Sequence, residues 1–420
     1  MQDYRSRVRE TWITQSKPVH IQGLEGGSVA YALQRLPLID PDSQTLVICP
    51  SSKSAAQLAS DIQAIAHADG QPPPVALFPA PDHLPYHPLT PSRDTWISRL
   101  TILQHWARRS PLCCVAPVAA LLRRLPPTDI FMDYGESVSV GATIDPSKLQ
   151  LQLAAMGYVA SPLVEEPGDF SRRGGILDIW SITESAPSRI ELEGDTIVSI
   201  RTFDPETQRS RGDLVTLSIS PAHNLCFSNE DITAITRRLK NAADAADFPA
   251  SRRRALVEAL HNGRRTPIME TLLPCFYDRI ATIADYLSPK SRVIIVDPAG
   301  VRAEAEEYLK TCATAYADTD EIDRIIPPDH LFSPWNDLRQ DFPKAVCVLG
   351  GIAAEDGTEL ITVTTRNTTT RRMDSLEPLL SHVRDQGLSL TLTSHTPIQA
   401  ERTVDMLRWQ GAAPVIAQGP

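Results

Sequence analysis

The sequence predicts an α/β protein: a parallel-sheet domain, a mainly antiparallel α+β module inserted into it, and a small α/β unit at the end. Three observations carry this expectation. Short, largely apolar runs at 44–49, 112–118 and 292–297 alternate with stretches of helical period, as buried parallel strands joined by crossover helices do. Between residues 173 and 204 the pattern changes to polar–apolar alternation broken by tight turns. From about residue 345 strand and helix patterns alternate again.

Residues 1–125 form the first half of the parallel-sheet domain. A strand at 44–49 precedes a helix over 54–67, where Ala55, Leu58, Ile62 and Ile65 make one apolar stripe. A strand at 75–78, a helix at 96–106 and a strand at 112–118 follow. Residues 126–215 are the inserted module, with a helix over 147–156 and then a small sheet. There the apolar run 175–180 precedes Arg189-Ile190-Glu191-Leu192-Glu193, which alternates as a half-buried strand should. Gly194-Asp195 supplies a two-residue turn, and 196–203 returns as the next strand. From Pro221 the chain turns helical, with helices at 230–245 and through the basic run 251–265. A strand at 292–297 and a helix at 299–310 complete the second half, 216–340. The last unit, 345–420, has strands at 345–349, 360–364 and 388–393, helices at 375–384 and 397–409, and a polar loop at 366–372.

At 420 residues the chain is long enough for about three domains. Its net charge of −10 speaks against wrapping duplex DNA, because neutralising phosphates takes clustered cations. Arg252, Arg253 and Arg254, with Arg264 and Arg265, are the candidate DNA contacts; the competing reading is a solvated helix face. Seven scattered cysteines without a C-x-x-C pair read as buried free thiols in a reducing compartment. No stretch has the apolar length of a signal peptide or membrane span, so the expectation is a cytoplasmic protein with no membrane partner. His83 and His87 lack further ligands at metal spacing, so no metal is expected.

Gly23, Gly26, Gly27 and Ser28 lie before a helical run, where a phosphate loop would sit in a nucleotide-binding domain. Such a loop needs Lys for the β/γ-phosphates and Ser or Thr for Mg²⁺. Here Ser28 replaces the third glycine, Val29 the lysine and Ala30 the hydroxyl residue. The loop is expected to be a degenerate, glycine-rich turn that opens a helix and holds no nucleotide. No cofactor and no catalytic residue are expected.

The segment from Arg173-Gly174 through Leu177-Asp178-Ile179-Trp180, then Arg189 and the 196–204 stretch, resembles the UvrA-binding module shared by the excision-repair protein UvrB and the bacterial transcription-repair coupling factors (Mfd). Phe78-Pro79, Leu84-Pro85-Tyr86 and Arg99-Leu100 are similar to the family's FP…LPY…SRL segment. Leu272 to Phe276 with Asp285-Tyr286-Leu287 looks like its LP-x-F…DYL segment. In UvrB the place of residues 23–30 holds a working phosphate loop; in the coupling factor it is degenerate, as here. About ten residues separate Tyr86 from the helix at Trp96, too few for the long lesion-probing hairpin of UvrB.

The resemblance implies a UvrB-like first domain, the UvrA-binding insertion, and the small domain that follows in coupling factors. It implies that Arg173 and Arg189 contact UvrA, helped by Trp180, while Glu193 stands where the family has an aromatic residue. It further implies a non-catalytic N-terminal part that recruits UvrA to stalled RNA polymerase and binds DNA weakly or not at all. In the full-length family an ATP-driven translocase follows, with C-terminal domains that mask the UvrA-binding surface. Two other readings stay open: a UvrB-type ATP-dependent repair helicase subunit, and a docking module for a different partner. Both arginines are expected to open strands with their side chains exposed or paired to Glu191 or Glu193, so that replacing both by Ala would leave the fold intact.

Overall fold

A computed structural model describes residues 8, 10, 12, 17–24, 26–36, 38–68, 75–87, 92–261, 266–320, 324–343, 346–350, 358–363, 377–385, 392, 396–409 and 411–414. The first strands are β1 (Val19–Gln22), β2 (Gln44–Cys49), β3 (Val75–Leu77) and β4 (Leu112–Pro117). Eight follow in the middle of the chain: β5 (Glu136–Ser139), β6 (Val159–Ala160), β7 (Asp169–Arg173), β8 (Ile176–Ile179), β9 (Ser188–Glu193), β10 (Thr196–Phe203), β11 (Ser210–Leu214) and β12 (Thr216–Ile219). The last three are β13 (Arg292–Val296), β14 (Val346–Leu349) and β15 (Glu359–Thr362). The longer helices are α1 (Gly27–Arg35), α2 (Ser52–Ala68), α3 (Arg93–Ala107), α4 (Pro146–Ala155), α5 (Ile232–Ala245), α6 (Ala250–His261), α7 (Pro298–Asp318), α8 (Glu377–Asp385) and α9 (Pro397–Trp409).

The fold is α/β. Seven strands form one sheet in the order β15-β1-β14-β13-β2-β4-β3, and every pairing in it is parallel. Alternate residues serve opposite faces. Leu46, Ile48, Cys114, Ala116, Val293 and Ile295 enter one core, whereas Val47, Cys49, Cys113, Val115, Ile294 and Cys347 enter the other. Burial on both faces is why these strands read as nearly continuous apolar runs.

The middle of the chain makes a six-stranded sheet, β11-β10-β9-β8-β7-β6, antiparallel except at β6–β7. A two-stranded sheet of β5 and β12 stands beside it. Because β12 pairs with β5, hydrogen bonding carries this region to residue 219, beyond the boundary expected at 215.

The tail differs from expectation. β14 and β15 found no separate unit at residue 345; they flank β1 on either side in the seven-stranded sheet. The cause lies in β1, whose four residues Val-His-Ile-Gln are too short and too polar to read as a buried strand. His20 is nonetheless buried, with Nε2 bonded to the Gly350 carbonyl at 2.7 Å. Of the remaining tail, α8 and α9 pack Leu380 on Leu407. The loop expected at 366–372 lies outside the described residues, as does the strand at 388–393 apart from Leu392.

Two helices outrun their sequence signals. The Ser92 side chain accepts the Thr95 N–H at 3.3 Å and so starts α3 three residues early. α7 continues to Asp318 instead of 310; its buried face, Val301, Ala305 and Cys312, runs past the expected end.

Side chains tie the two sheets together. From α3, Trp96 Nε1 donates to the Ala222 carbonyl and Gln104 Nε2 to the Pro221 carbonyl. Arg93 pairs with Glu166 and Asp169 and donates to the Pro167 carbonyl. Gln44 at the head of β2 bonds the Trp106 and Tyr286 carbonyls and the Ser288 amide, which anchors the Asp285-Tyr286-Leu287 segment against the first half of the chain. All seven cysteines are buried and none is in a disulfide, and burial pushes the thiols of Cys49, Cys113 and Cys275 up to about 12. Among the described residues no helix is long and apolar enough to cross a membrane.

Candidate docking face and glycine-rich cleft

The six-stranded sheet owes its register to two tight turns. Gly174-Gly175 joins β7 to β8, with Gly174 at φ +62°, and a Cβ on Gly175 would lie 2.8 Å from the Leu192 carbonyl oxygen. Gly194, at φ +61°, joins β9 to β10. Only glycine occupies such positions without strain. The resulting register aligns Asp178, Arg189, Arg201 and Asp213 across β8 to β11. Their apolar neighbours Leu177, Ile179, Ile190 and Ile200 go to the core. The opposite face is therefore a row of charges.

Asp178 is the centre of that row. Its side chain is 1% exposed, and it takes Arg189 in a two-pronged contact, Nε to Oδ1 at 2.7 Å and Nη2 to Oδ2 at 2.9 Å. Arg173 Nη2 reaches the same Oδ2 at 3.0 Å. Arg189 is held further by Phe203, whose ring centroid lies 4.7 Å from the guanidinium carbon, and by Gln208, which offers its carbonyl and its Oε1 at 3.5 and 3.4 Å. Gln208 itself sits at φ +60°, a conformation an L residue holds only when its surroundings enforce it. The hydrogen bonds that Arg189 donates to the Asp178 carboxylate raise the pKa of Arg189 above its ordinary value. Farther along the row, Arg201 pairs with Glu191 at 3.6 Å and Asp213 at 3.3 Å.

The arrangement corrects the expectation for the arginines. Arg173 closes β7 instead of opening a strand, and Arg189 lies inside β9 with its side chain 18% exposed. Among the described residues their ion-pair partner is Asp178, not Glu191 or Glu193. Asp178 is hard to mark from sequence because it lies inside the apolar run 175–180. The available signal was a lone carboxylate between Leu177 and Ile179, which must find a cation if the strand is buried. Glu193 is exposed at the end of β9. Trp180 is half-buried just past the far end of β8 and donates to the Glu184 carbonyl at 3.1 Å, so it stands apart from Arg173.

The candidate DNA contacts do not converge with this face. Arg252 and Arg254 are exposed on α6, Arg253 pairs with Asp244, and Arg264 and Arg265 lie outside the described residues.

The glycine-rich loop opens α1, with Gly26 as N-cap at φ +54° and Gly27 as the first helical residue. Ser28 is half-buried, and Val29 and Ala30 are buried, so the positions a phosphate loop gives to Lys and Ser or Thr serve packing. Gly23 has a separate structural cause: a Cβ there would fall 2.0 Å from the Val363 carbonyl oxygen at the end of β15. A cleft of about 530 Å³ remains beside the loop, lined by Gly26, Gly27, Val29, Cys49, Lys53 and Val296 among others. Arg99 is buried, with its guanidinium carbon 4.2 Å from the Phe78 ring centroid, and donates to the Pro79 and Ala120 carbonyls. Burial lowers its pKa to about 9. These contacts give the Phe78-Pro79 and Arg99-Leu100 motif a structural task.

The profile of the UvrB interaction domain matches residues 137–225, from β5 to just past β12. The transcription-repair-coupling factor of Myxococcus xanthus is 31% identical over 349 residues, which are 79% of this chain and 28% of that protein. The chain is related to the transcription-repair-coupling factors. That of Bacillus subtilis is 30% identical over 246 residues, 56% of this chain and 21% of its own length. That of Haemophilus influenzae is 26% identical over 292 residues, 69% and 24% respectively. The chain thus spans about a quarter of the length of these coupling factors. Arg173, Asp178, Arg189, Phe203 and Gln208 all fall within the matched UvrB interaction domain.

Proposed function

We propose that this chain is a non-catalytic part of a coupling-factor protein and that it docks UvrA, bringing excision repair to a stalled RNA polymerase. The observation that carries this reading is the charged face of β7 to β11, which lies within the matched UvrB interaction domain and presents Arg173 to solvent. A guanidinium anchored at one nitrogen keeps its remaining donors for a partner carboxylate, the contact arginine makes best at protein interfaces. In this reading the seven-stranded sheet, to which β14 and β15 belong, is the centre of a UvrB-like domain, and the docking module inserted into it runs from about residue 126 to 219. RNA polymerase, DNA and masking C-terminal domains belong to a full-length parent.

The cleft at Gly26 and Gly27 supports the non-catalytic side. With Val29 and Ala30 buried, the loop supplies neither the cation for the β/γ-phosphates nor the hydroxyl for Mg²⁺. Calorimetric titrations of one preparation with purified UvrA and with Mg-ATP test both claims. A UvrA complex and no Mg-ATP heat are expected. A micromolar Mg-ATP site would favour the UvrB-type helicase reading, and silence toward both ligands would favour a different partner.

A further inference from the structure

We propose that His223 is a proton-operated catch at the root of the six-stranded sheet. Its neutral ring ties the chain returning from that sheet, and a proton on the ring releases the tie. The inference does not depend on which partner the sheet docks.

The catch stands where the chain crosses between the two sheets. Arg123 lies between β4 and β5, His223 follows β12, and Glu270 lies in a 3-10 turn (Pro267–Leu272) ahead of β13. Their largely buried side chains meet. His223 Nε2 lies 3.2 Å from Glu270 Oε1. Arg123 Nη2 lies 3.6 Å from Glu270 Oε2 and donates to the Glu270 carbonyl at 2.7 Å. Glu270 thus joins the outgoing crossing to the returning one.

His223 Nδ1 accepts the Leu225 N–H at 3.0 Å. A backbone N–H can only donate, so Nδ1 holds a lone pair; in the neutral ring the hydrogen sits on Nε2 and goes to Glu270. Both nitrogens are then spent, and the Trp96 ring, 4.7 Å from the imidazole, packs against it from α3. A second proton must take Nδ1, where it faces the Leu225 N–H, and two donors make no bond. The imidazolium keeps Glu270, now as an ion pair, and gives up Leu225.

The segment that loosens is shared by both sheets. Gln104 and Trp96 of α3 donate to the Pro221 and Ala222 carbonyls. In the other direction the Ala222 N–H donates to the Met156 carbonyl at 2.9 Å and the Phe227 N–H to the Ala155 carbonyl at 3.1 Å. The surrounding titratable groups are accounted for. Cys226 Sγ donates to the His223 carbonyl, and the Tyr277 hydroxyl donates to the Asn224 carbonyl. Arg99 lies within electrostatic reach of Glu270 and Arg123. Arg93, which with Ala222 lies against Gly168, is paired to Glu166 and Asp169. Glu270 favours the imidazolium, and Arg123 opposes it.

Hydrogen exchange at the Leu225 amide, as a protection factor, tests the catch, with ring-nitrogen resonances reporting the tautomer and a thermal unfolding curve for each variant. The parent is expected to show the Nε2–H tautomer at neutral pH and to lose Leu225 protection about tenfold between about pH 8 and about pH 5. His223→Asn places a side-chain oxygen near the Nδ1 position, so protection should persist at both ends of that range. His223→Gln keeps a donor for Glu270 but no acceptor for Leu225, so protection should be low at both. Glu270→Gln removes the anion that favours the imidazolium and should move the midpoint to lower pH. An Nδ1–H tautomer, or parent protection that does not change with pH, would overturn the proposal. So would a pH dependence that survives in His223→Asn; if that variant does not fold, an unmoved midpoint in Glu270→Gln overturns it instead.

Discussion

Asp178 sits between Leu177 and Ile179 in a four-residue strand, on the face opposite theirs, and its side chain is nevertheless buried. An ionised group there requires a partner, and removing one partner of a buried pair costs roughly 3–5 kcal/mol. Arg189→Ala is therefore expected to lower unfolding stability by about 3 kcal/mol or more, whereas the half-exposed Arg173→Ala should cost under about 1 kcal/mol. Urea unfolding of the two single variants checks this; equal losses would mean that water already solvates Asp178. Replacing both arginines is therefore expected to perturb the fold, and loss of binding in such a variant would have two causes. Glu193 is separable from this problem because it is exposed at the end of β9. Glu193→Phe should leave stability nearly unchanged and tighten a UvrA complex by about tenfold through added apolar burial. Unaltered affinity on titration would place that end of β9 outside the interface.

Elements were legible where period and punctuation agreed. The strand at 196–203 and the helix at 397–409 form over the residues their patterns marked, because a turn glycine or a proline bounds each. β1 left no such mark, and its pairing depends on β14 and β15, more than 320 residues away in the chain. Gly23 joins local and distant structure at this point. It has φ +86°, and the Val363 carbonyl closes over it, while the Val363 amide donates to the Gln22 carbonyl at 2.9 Å. Gly23→Ala is expected to push β15 off the sheet edge and to destabilise by more than about 1 kcal/mol. Hydrogen exchange at the Val363 amide reads the effect directly. Protection equal to the parent would show that the loop adapts and that the close approach is dispensable.

At the scale of the molecule, one core cluster runs from Leu46 and Trp106 in the first region to Leu177 and Ile200 in the second. α3 spans the junction through Arg93, Trp96 and Gln104. Shared burial makes independent opening costly, because each region would expose apolar surface that now faces the other. The two sheets are expected to unfold in one calorimetric transition, and Arg93→Ala should broaden or split it by removing a polar clasp between them. Two resolved transitions in the parent would show that the junction does not couple them.

The fold class and the resemblance to coupling factors were legible in the order of the residues alone. Apolar runs, turn glycines and the order of short motifs are local properties, and each survives in the chain without reference to what packs against it. The sequence also determined that the loop at 23–30 lacks the groups that handle phosphate and Mg²⁺. Packing in three dimensions settles that β14 and β15 complete the first sheet, that Gly23 answers to the Val363 carbonyl past β15, and that Asp178 pairs with both arginines. Strand pairing and ion pairing join residues through space, and a carboxylate in an apolar run announces that it needs a cation without saying which one it will find.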